Sequence, residues 1–358
     1  MSRMLQGRLI IVNNRGQRIR GCIRSATCRL QSPLSALPLS DQSTDPSRIP
    51  LESPAVSPTR RNCLAGMAAL CLGTCLATPG TARAVTIHDD QGELTIDTPP
   101  ARIVALEYSF VDALANVGLS PVGIADDGQP DRIQEPMRSL IKPWTSVGTR
   151  SQPSMEVIAG LKPDLIIADT SRHRAVYDQL RKIAPVLLLN SRYGTYTELL
   201  AQAQTIADAV GRSQPMKERI SQLQAEMKAI AKIVPQGQSA MFGTSRENAL
   251  NVHSQASFAG SLLMELGFRV APPQNGKEIY DISLESLLAM NPDWMFIAHY
   301  RQESVLRKWE KQPLWQALAA PRKQQVTAVD SQLWARSRGL FAAQRMAEQV
   351  KAAVEKHR

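Results

Sequence analysis

Beyond residue 84 the apolar residues fall into short unbroken runs that alternate with stretches of helical spacing. Val85 to Asp97 reads as a small hairpin, because Asp89-Asp90-Gln91-Gly92 supplies turn chemistry between two β-prone arms. Arg102 to Leu106 is a buried strand, Phe110 to Val117 a helix stopped at Gly118, and Pro121 to Ala125 the next strand. Met155 to Leu161 predicts a short helix halted before Pro163, with strands at Leu165–Ala168 and Pro185–Leu189. Continuous rather than alternating apolar runs indicate parallel sheets covered on both faces. Tyr196 to Val210 and Pro215 to Val234 then predict two helices. The second carries Met216, Ile220, Leu223, Met227, Ile230 and Ile233 at steps of three and four, the stripe of an ordinary packed helix. At ~1.5 Å per residue it is about as long as a small domain is wide.

After that helix the series restarts, and it repeats the first. Residues 154–167 (SMEVIAGLKPDLII) align without a gap on residues 283–296 (SLESLLAMNPDWMF), with Ser, Glu, Pro and Asp coinciding. The alignment sets Arg172 opposite Arg301, and residues 113–118 resemble residues 262–267. The implied class is α/β: two Rossmann-like lobes with mainly parallel sheets, 85–212 and 236–358, joined by a long spine helix, 213–235. In such sheets ligands bind beyond the carboxyl ends of the strands. Two facing lobes place that position in the cleft between them.

Charge changes how the N-terminus is read. The formal net charge is +10, but residues 1–84 alone contain eleven Arg, no Lys and three acids. The body behind is nearly neutral, without the basic footprint of a nucleic-acid binder. All five cysteines, Cys22, Cys28, Cys63, Cys71 and Cys75, also lie before residue 85. A cysteine-free body needs no disulfide and suits an oxidising compartment. Residues 1–58 have the composition of a disordered extension. In 59–84, Arg60-Arg61 precedes an apolar run from Leu64 to Ala77 and the small-x-small site Ala82-Arg83-Ala84, the order of a signal peptide. The paired arginines resemble a twin-arginine export signal, although Cys63 stands where an aromatic is usual, so general secretion stays open. The expected location is the periplasm.

Glu-x-x-x-x-x-x-Pro-Asp followed by an apolar strand occurs once per lobe. From Val85 onward the chain resembles the periplasmic solute-binding proteins of iron-siderophore and cobalamin ABC importers, the class with a rigid helical spine. The likeness is greatest to the ferric dicitrate branch. It rests on residues 102–107 (RIVALE), 122–127 (VGIADD), 142–150 (KPWTSVGTR), 161–169 (LKPDLIIAD), 242–247 (FGTSRE), 298–301 (AHYR) and 334–339 (WARSRG). The resemblance implies a binding protein rather than an enzyme, with iron(III) chelated by citrate as cargo, no resident cofactor and a monomeric state. It implies delivery to the permease of an inner-membrane ABC importer, with Glu156 and Glu285 docking on permease arginines.

An anionic ferric chelate calls for planar cationic donors, which arginine provides. Arg150, Arg172, Arg246 and Arg301 each follow a predicted strand, facing the cleft; each alone could equally be a solvated surface residue or half of a salt bridge. Arg192, Arg336 and Arg338 are further candidates. Ser109 and Glu107 follow the first strand and offer hydrogen bonds, and Glu107 serves equally well as a structural acid. His173 and His299 adjoin this region but stand alone in sequence, so no metal-ligand set is assigned. Outside the resemblance, Glu156 and Glu285 are acids in the first turn of a helix, favoured by the helix dipole. The rival class is a secreted hydrolase: residues 243–247 (GTSRE) come near a nucleophile elbow but lack its last glycine. Haem, cobalamin or another siderophore is the alternative cargo within the same fold.

Overall fold

The structure, a computed structural model, describes residues 84–357. The disordered extension and nearly all of the signal segment assigned from the sequence lie outside those residues. The hairpin forms as expected, from β1 (Val85–Asp89) and β2 (Gly92–Ile96). The first lobe is built on β3 (Ile103–Ala105), β4 (Gly123–Ile124), β5 (Thr145–Ser146), β6 (Leu165–Asp169) and β7 (Val186–Leu189). These form one sheet in the order β5-β4-β3-β6-β7, parallel throughout. Its strands are short, and β3, β6 and β7 are buried on both faces, as uninterrupted apolar runs require, while the edge strand β5 is exposed.

The second lobe contains β8 (Ala240–Ser245), β9 (Leu250–His253), β10 (Ile279–Ile282), β11 (Trp294–His299) and β12 (Val326–Val329), ordered β10-β9-β8-β11-β12. Here the expectation of a mainly parallel sheet needs correcting. β8, β11 and β12 are parallel, but β9 runs antiparallel to both of its neighbours. The chain leaves β8 through a tight hairpin instead of a helix, closed by the Arg246 amide donating to the Ala249 carbonyl at 2.9 Å.

The internal repeat has a structural basis. Ser154 and Ser283 cap the helices Met155–Gly160 and Leu284–Met290, accepting from Val157 N and Ser286 N. Asp164 accepts from the Ala101 and Arg102 amides, and Asp293 from the Ser239 amide and hydroxyl. Each Pro-Asp thus ties the start of one strand to the segment entering the sheet's central strand. The Asp pair is a pair of anchors, and Lys323 holds Asp293 at 3.0 Å.

The spine helix runs Ser213–Ala231 and buries Met216, Leu223 and Met227. A last helix, Leu340–Lys356, packs on the spine and on the first-lobe helix Tyr108–Asn116. It also meets the second lobe: Trp334 Nε1 donates to Gln349 at 2.6 Å, and Trp294 meets the ring of His357. The last helix therefore bridges the lobes beside the spine. Among the described residues no helix is long and apolar enough to cross a membrane.

Candidate functional site

The cleft between the lobes encloses about 650 Å³ at the carboxyl ends of the strands. Six arginines line it: Arg150, Arg172, Arg192, Arg246, Arg336 and Arg338.

The first lobe sets its arginines on buried acids. Glu107 stands just before the helix that follows β3, and its carboxylate lies 3.4 Å from Arg150 Nη1 and 2.5 Å from Arg172 Nε. Burial pushes its carboxyl up, and the two guanidiniums oppose that rise. Asp127 accepts from the Arg150 amide, Nε and Nη2 at 2.9, 3.1 and 2.9 Å, and from Arg132 Nη1 at 2.8 Å. Burial raises its pKa, but the Arg150 hydrogen bonds prevail and hold it near about 2. The Arg150 guanidinium lies over the Tyr108 ring, 4.1 Å from its centroid. Asp169 ends β6 and gathers the amides of Arg172, Ser191 and Arg192 at 2.9, 2.7 and 2.9 Å, joining the loops beyond β6 and β7.

The second lobe holds its arginines differently. Arg246 and Arg336 flank Tyr300, at 5.0 and 5.5 Å from the ring centroid. Arg336 ends the helix Ser331–Arg336, whose Trp334 stacks on Phe296 at 5.3 Å and meets Phe242 at 5.2 Å. That aromatic anchor seats the segment carrying Arg336 and Arg338. Burial, and then the repulsion of Arg150 and Arg172, hold the Arg338 guanidinium below its usual pKa, while Glu107 opposes them. Among the described residues no carboxylate lies within ion-pair distance of Arg192, Arg246, Arg336 or Arg338. The cleft thus holds four guanidinium charges without a carboxylate partner.

Of the residues singled out from the sequence, Arg150, Arg172, Arg246 and Arg338 are brought together, with Arg192 and Arg336 beside them. Two are placed elsewhere. Ser109 is buried and bonds Ser191 Oγ at 2.6 Å, away from the cleft lining. Arg301 lies in an adjoining basin of about 510 Å³, its side chain 73% exposed and 3.4 Å from Glu247. The repeat aligns it with Arg172, but the second lobe has Arg246 after its central strand where the first has Glu107. Among the described residues no buried acid draws Arg301 inward. Glu156 and Glu285 are exposed, each second in its helix.

Sequence reading missed Thr244, Asn251, His253, Ile279, Asp281 and Tyr300. Alternation in Leu250-Asn251-Val252-His253 was the available signal, because period two marks a strand with one polar face. The register pairs Asn251 with Asp281 and His253 with Ile279, and all four line the cleft. Burial, then Arg338, pushes His253 down to about 3, so its imidazole is neutral. His173 has both ring nitrogens engaged, by the Asp169 amide and the Arg150 carbonyl. His299 Nδ1 bonds Ser304 Oγ. Among the described residues no three His, Cys, Asp or Glu gather to hold a metal ion. The suspected elbow at 243–247 is a strand-to-strand hairpin, and Ser245 Oγ is buried, accepting from Leu306 N at 3.1 Å.

The model of the periplasmic binding protein family matches residues 103–333. The Fe(3+) dicitrate-binding periplasmic protein FecB of Escherichia coli is 51% identical over 74% of this chain and 89% of that protein. The Fe(3+)-citrate-binding protein YfmC of Bacillus subtilis is 38% identical over 74% and 84%. The crystal structure of Staphylococcus aureus SirA complexed with staphyloferrin B superposes with a TM-score of 0.67 at 23% identity, covering 76% of this chain and 98% of that one.

Proposed function

The chain belongs to the periplasmic binding protein family, and from that premise we propose that it captures ferric dicitrate in the interlobe cleft and delivers it to an ABC importer. The observation that carries this reading is the set of four cleft arginines without a carboxylate partner. Unpaired cations held by a folded scaffold are stabilised by a multiply negative guest, and guanidinium forks match carboxylates two bonds at a time. Citrate fills the coordination shell of iron(III), so the protein need supply only the outer recognition layer. His253 adds a neutral imidazole to that layer and no charge.

The names of FecB and YfmC support a citrate chelate. The basic N-terminal segment supports export to the periplasm, by the twin-arginine route if the arginine pair is read as such. The working unit is a monomer that presents its loaded cleft to the permease.

The test is a titration of the purified protein, followed by tryptophan fluorescence, with ferric citrate, metal-free citrate and a ferric hydroxamate. Ferric citrate should bind and the hydroxamate chelate should not. Arg338→Ala should weaken ferric citrate by about 10- to 100-fold, since a hydrogen bond to a charged group is worth ~1.5–3 kcal/mol. Equal affinity for the hydroxamate, or an unaffected Arg338→Ala variant, would remove the basis for the citrate assignment.

A further inference from the structure

The buried carboxylate of Asp112 is neither an anchor of the repeat nor a partner of a cleft arginine. Asp112 lies in the first-lobe helix Tyr108–Asn116 and is 1% exposed. It reaches the start of the last helix, where Oδ1 accepts from Leu340 N at 2.8 Å and Oδ2 from Phe341 N at 3.1 Å and Ala342 N at 3.4 Å. Asn116 Nδ2 donates to the same carboxylate at 2.9 Å. Asn116 in turn receives Arg219 Nε of the spine at 3.0 Å, and Arg219 Nη2 reaches Gln344 of the last helix at 2.5 Å. Three helices meet at one carboxylate.

The segment so held is the one that carries the cleft. Leu340 comes two residues after Arg338 and four after Arg336. Between them Gly339 has φ +118°, and a Cβ there would lie 2.4 Å from Asp112 Cγ. Only glycine lets the carboxylate come this close to the backbone. Capping normally comes from the residue just before a helix; here the capping group comes from the other lobe.

We propose that Asp112 is a positioning residue for guest capture: by clasping residues 340–342 from the first lobe, it fixes how Arg336 and Arg338 enter the cleft. The inference rests on the cleft being the capture site. The charged form of the clasp accepts all four N–H groups, whereas protonation converts one oxygen into a donor facing donors. Burial pushes this carboxyl up to about 7, against the three backbone hydrogen bonds and Arg219, so its titration falls in an accessible range. The charged or polar groups facing it are Asn116 on its own helix, Arg219 on the spine and the amides of the last helix.

The experiment is a double-mutant cycle on ferric citrate affinity, using Asp112→Asn and Arg338→Ala, repeated from pH 6 to pH 8. Asp112→Asn keeps the shape and one acceptor, so the variant should fold. We expect it to weaken binding about 5- to 10-fold alone and by only about 2- to 3-fold, through Arg336, once Arg338 is gone, because interacting residues are not additive. The ratio of wild-type to Asp112→Asn affinity should rise several-fold from pH 6 to pH 8; chelate speciation cancels in that ratio. Additive effects, or a ratio flat with pH, overturn the inference and leave the proposed function intact. A wild-type protein that binds no ferric citrate overturns both.

Discussion

At the scale of single residues, charge in the cleft is arranged in two classes. Arg150 and Arg172 are matched by buried acids, and their arrangement is part of the fold. Arg192, Arg246, Arg336 and Arg338 lack carboxylate partners among the described residues and lean on aromatic rings or on a backbone carbonyl. Glu107 sits at the division between the classes, because it competes with any anionic guest for the first pair. Removing one partner of a buried ion pair costs about 3–5 kcal/mol when the remaining charge is left alone. Arg150 keeps Asp127 and Arg172 is part exposed, so Glu107→Gln should lower the unfolding free energy by less than that, about 1–2 kcal/mol, in denaturant titration. Ferric citrate binding should stay as tight or tighten by up to ~10-fold, because one competing negative charge has gone. A tenfold loss of affinity would show instead that Glu107 orients Arg150 and Arg172 more than it competes for their charge.

At the scale of elements, the segment from Asp330 to Leu340 does most to shape the second half of the site. Asp330 caps its helix by accepting from Leu333 N at 2.7 Å, Ser337 ends it by donating to the Gln332 carbonyl, and Trp334 roots it between Phe242 and Phe296. A buried Trp→Ala change costs about 3–5 kcal/mol. Trp334→Ala should lose that much stability, and it should also weaken ferric citrate at temperatures where the variant remains folded, because Arg336 and Arg338 lose their seat. Normal affinity in a destabilised variant would detach the anchor from the site. Much at this scale was legible beforehand. Uninterrupted apolar runs gave the first lobe's parallel sheet, and the Ser-x-Glu and Pro-Asp repeats gave two matched lobes. Arginines after strand ends pointed to the cleft. The β8–β9 hairpin was not legible, because its turn lacks the Asn-Gly type of signal and its pairing is a tertiary choice. That hairpin carries Thr244, Asn251 and His253, so the unread strand and the unread site residues have one cause. Arg301 and Ser109 were misplaced for a related reason. Sequence position puts a side chain near a strand end, but neighbours such as Glu107 and Ser191 decide which way it turns.

At the scale of the whole molecule, the spine and the last helix both bridge the lobes, and a bundle of two packed helices resists wide hinge motion better than an extended strand crossing. A body of nearly constant shape can be recognised by the spacing of charges on its surface. The helices Met155–Gly160 and Leu284–Met290 are the matched helices of the repeat, one on each lobe. Glu156 and Glu285 are exposed in their first turns. Neither takes part in an ion pair among the described residues, and each sits where the helix dipole favours an anion. Under the proposed function, two acids, one on each lobe, would orient the loaded protein on a permease bearing complementary arginines, since charge complementarity sets orientation and encounter rate. Glu156→Ala combined with Glu285→Ala should abolish iron citrate uptake in cells that depend on this protein. Chelate affinity measured by titration should change less than twofold, since both residues lie outside the cleft lining. Each single variant should retain part of the uptake, because one contact on each lobe remains or is lost independently. Uptake at the wild-type rate in the double variant would show that the permease reads some other part of this surface.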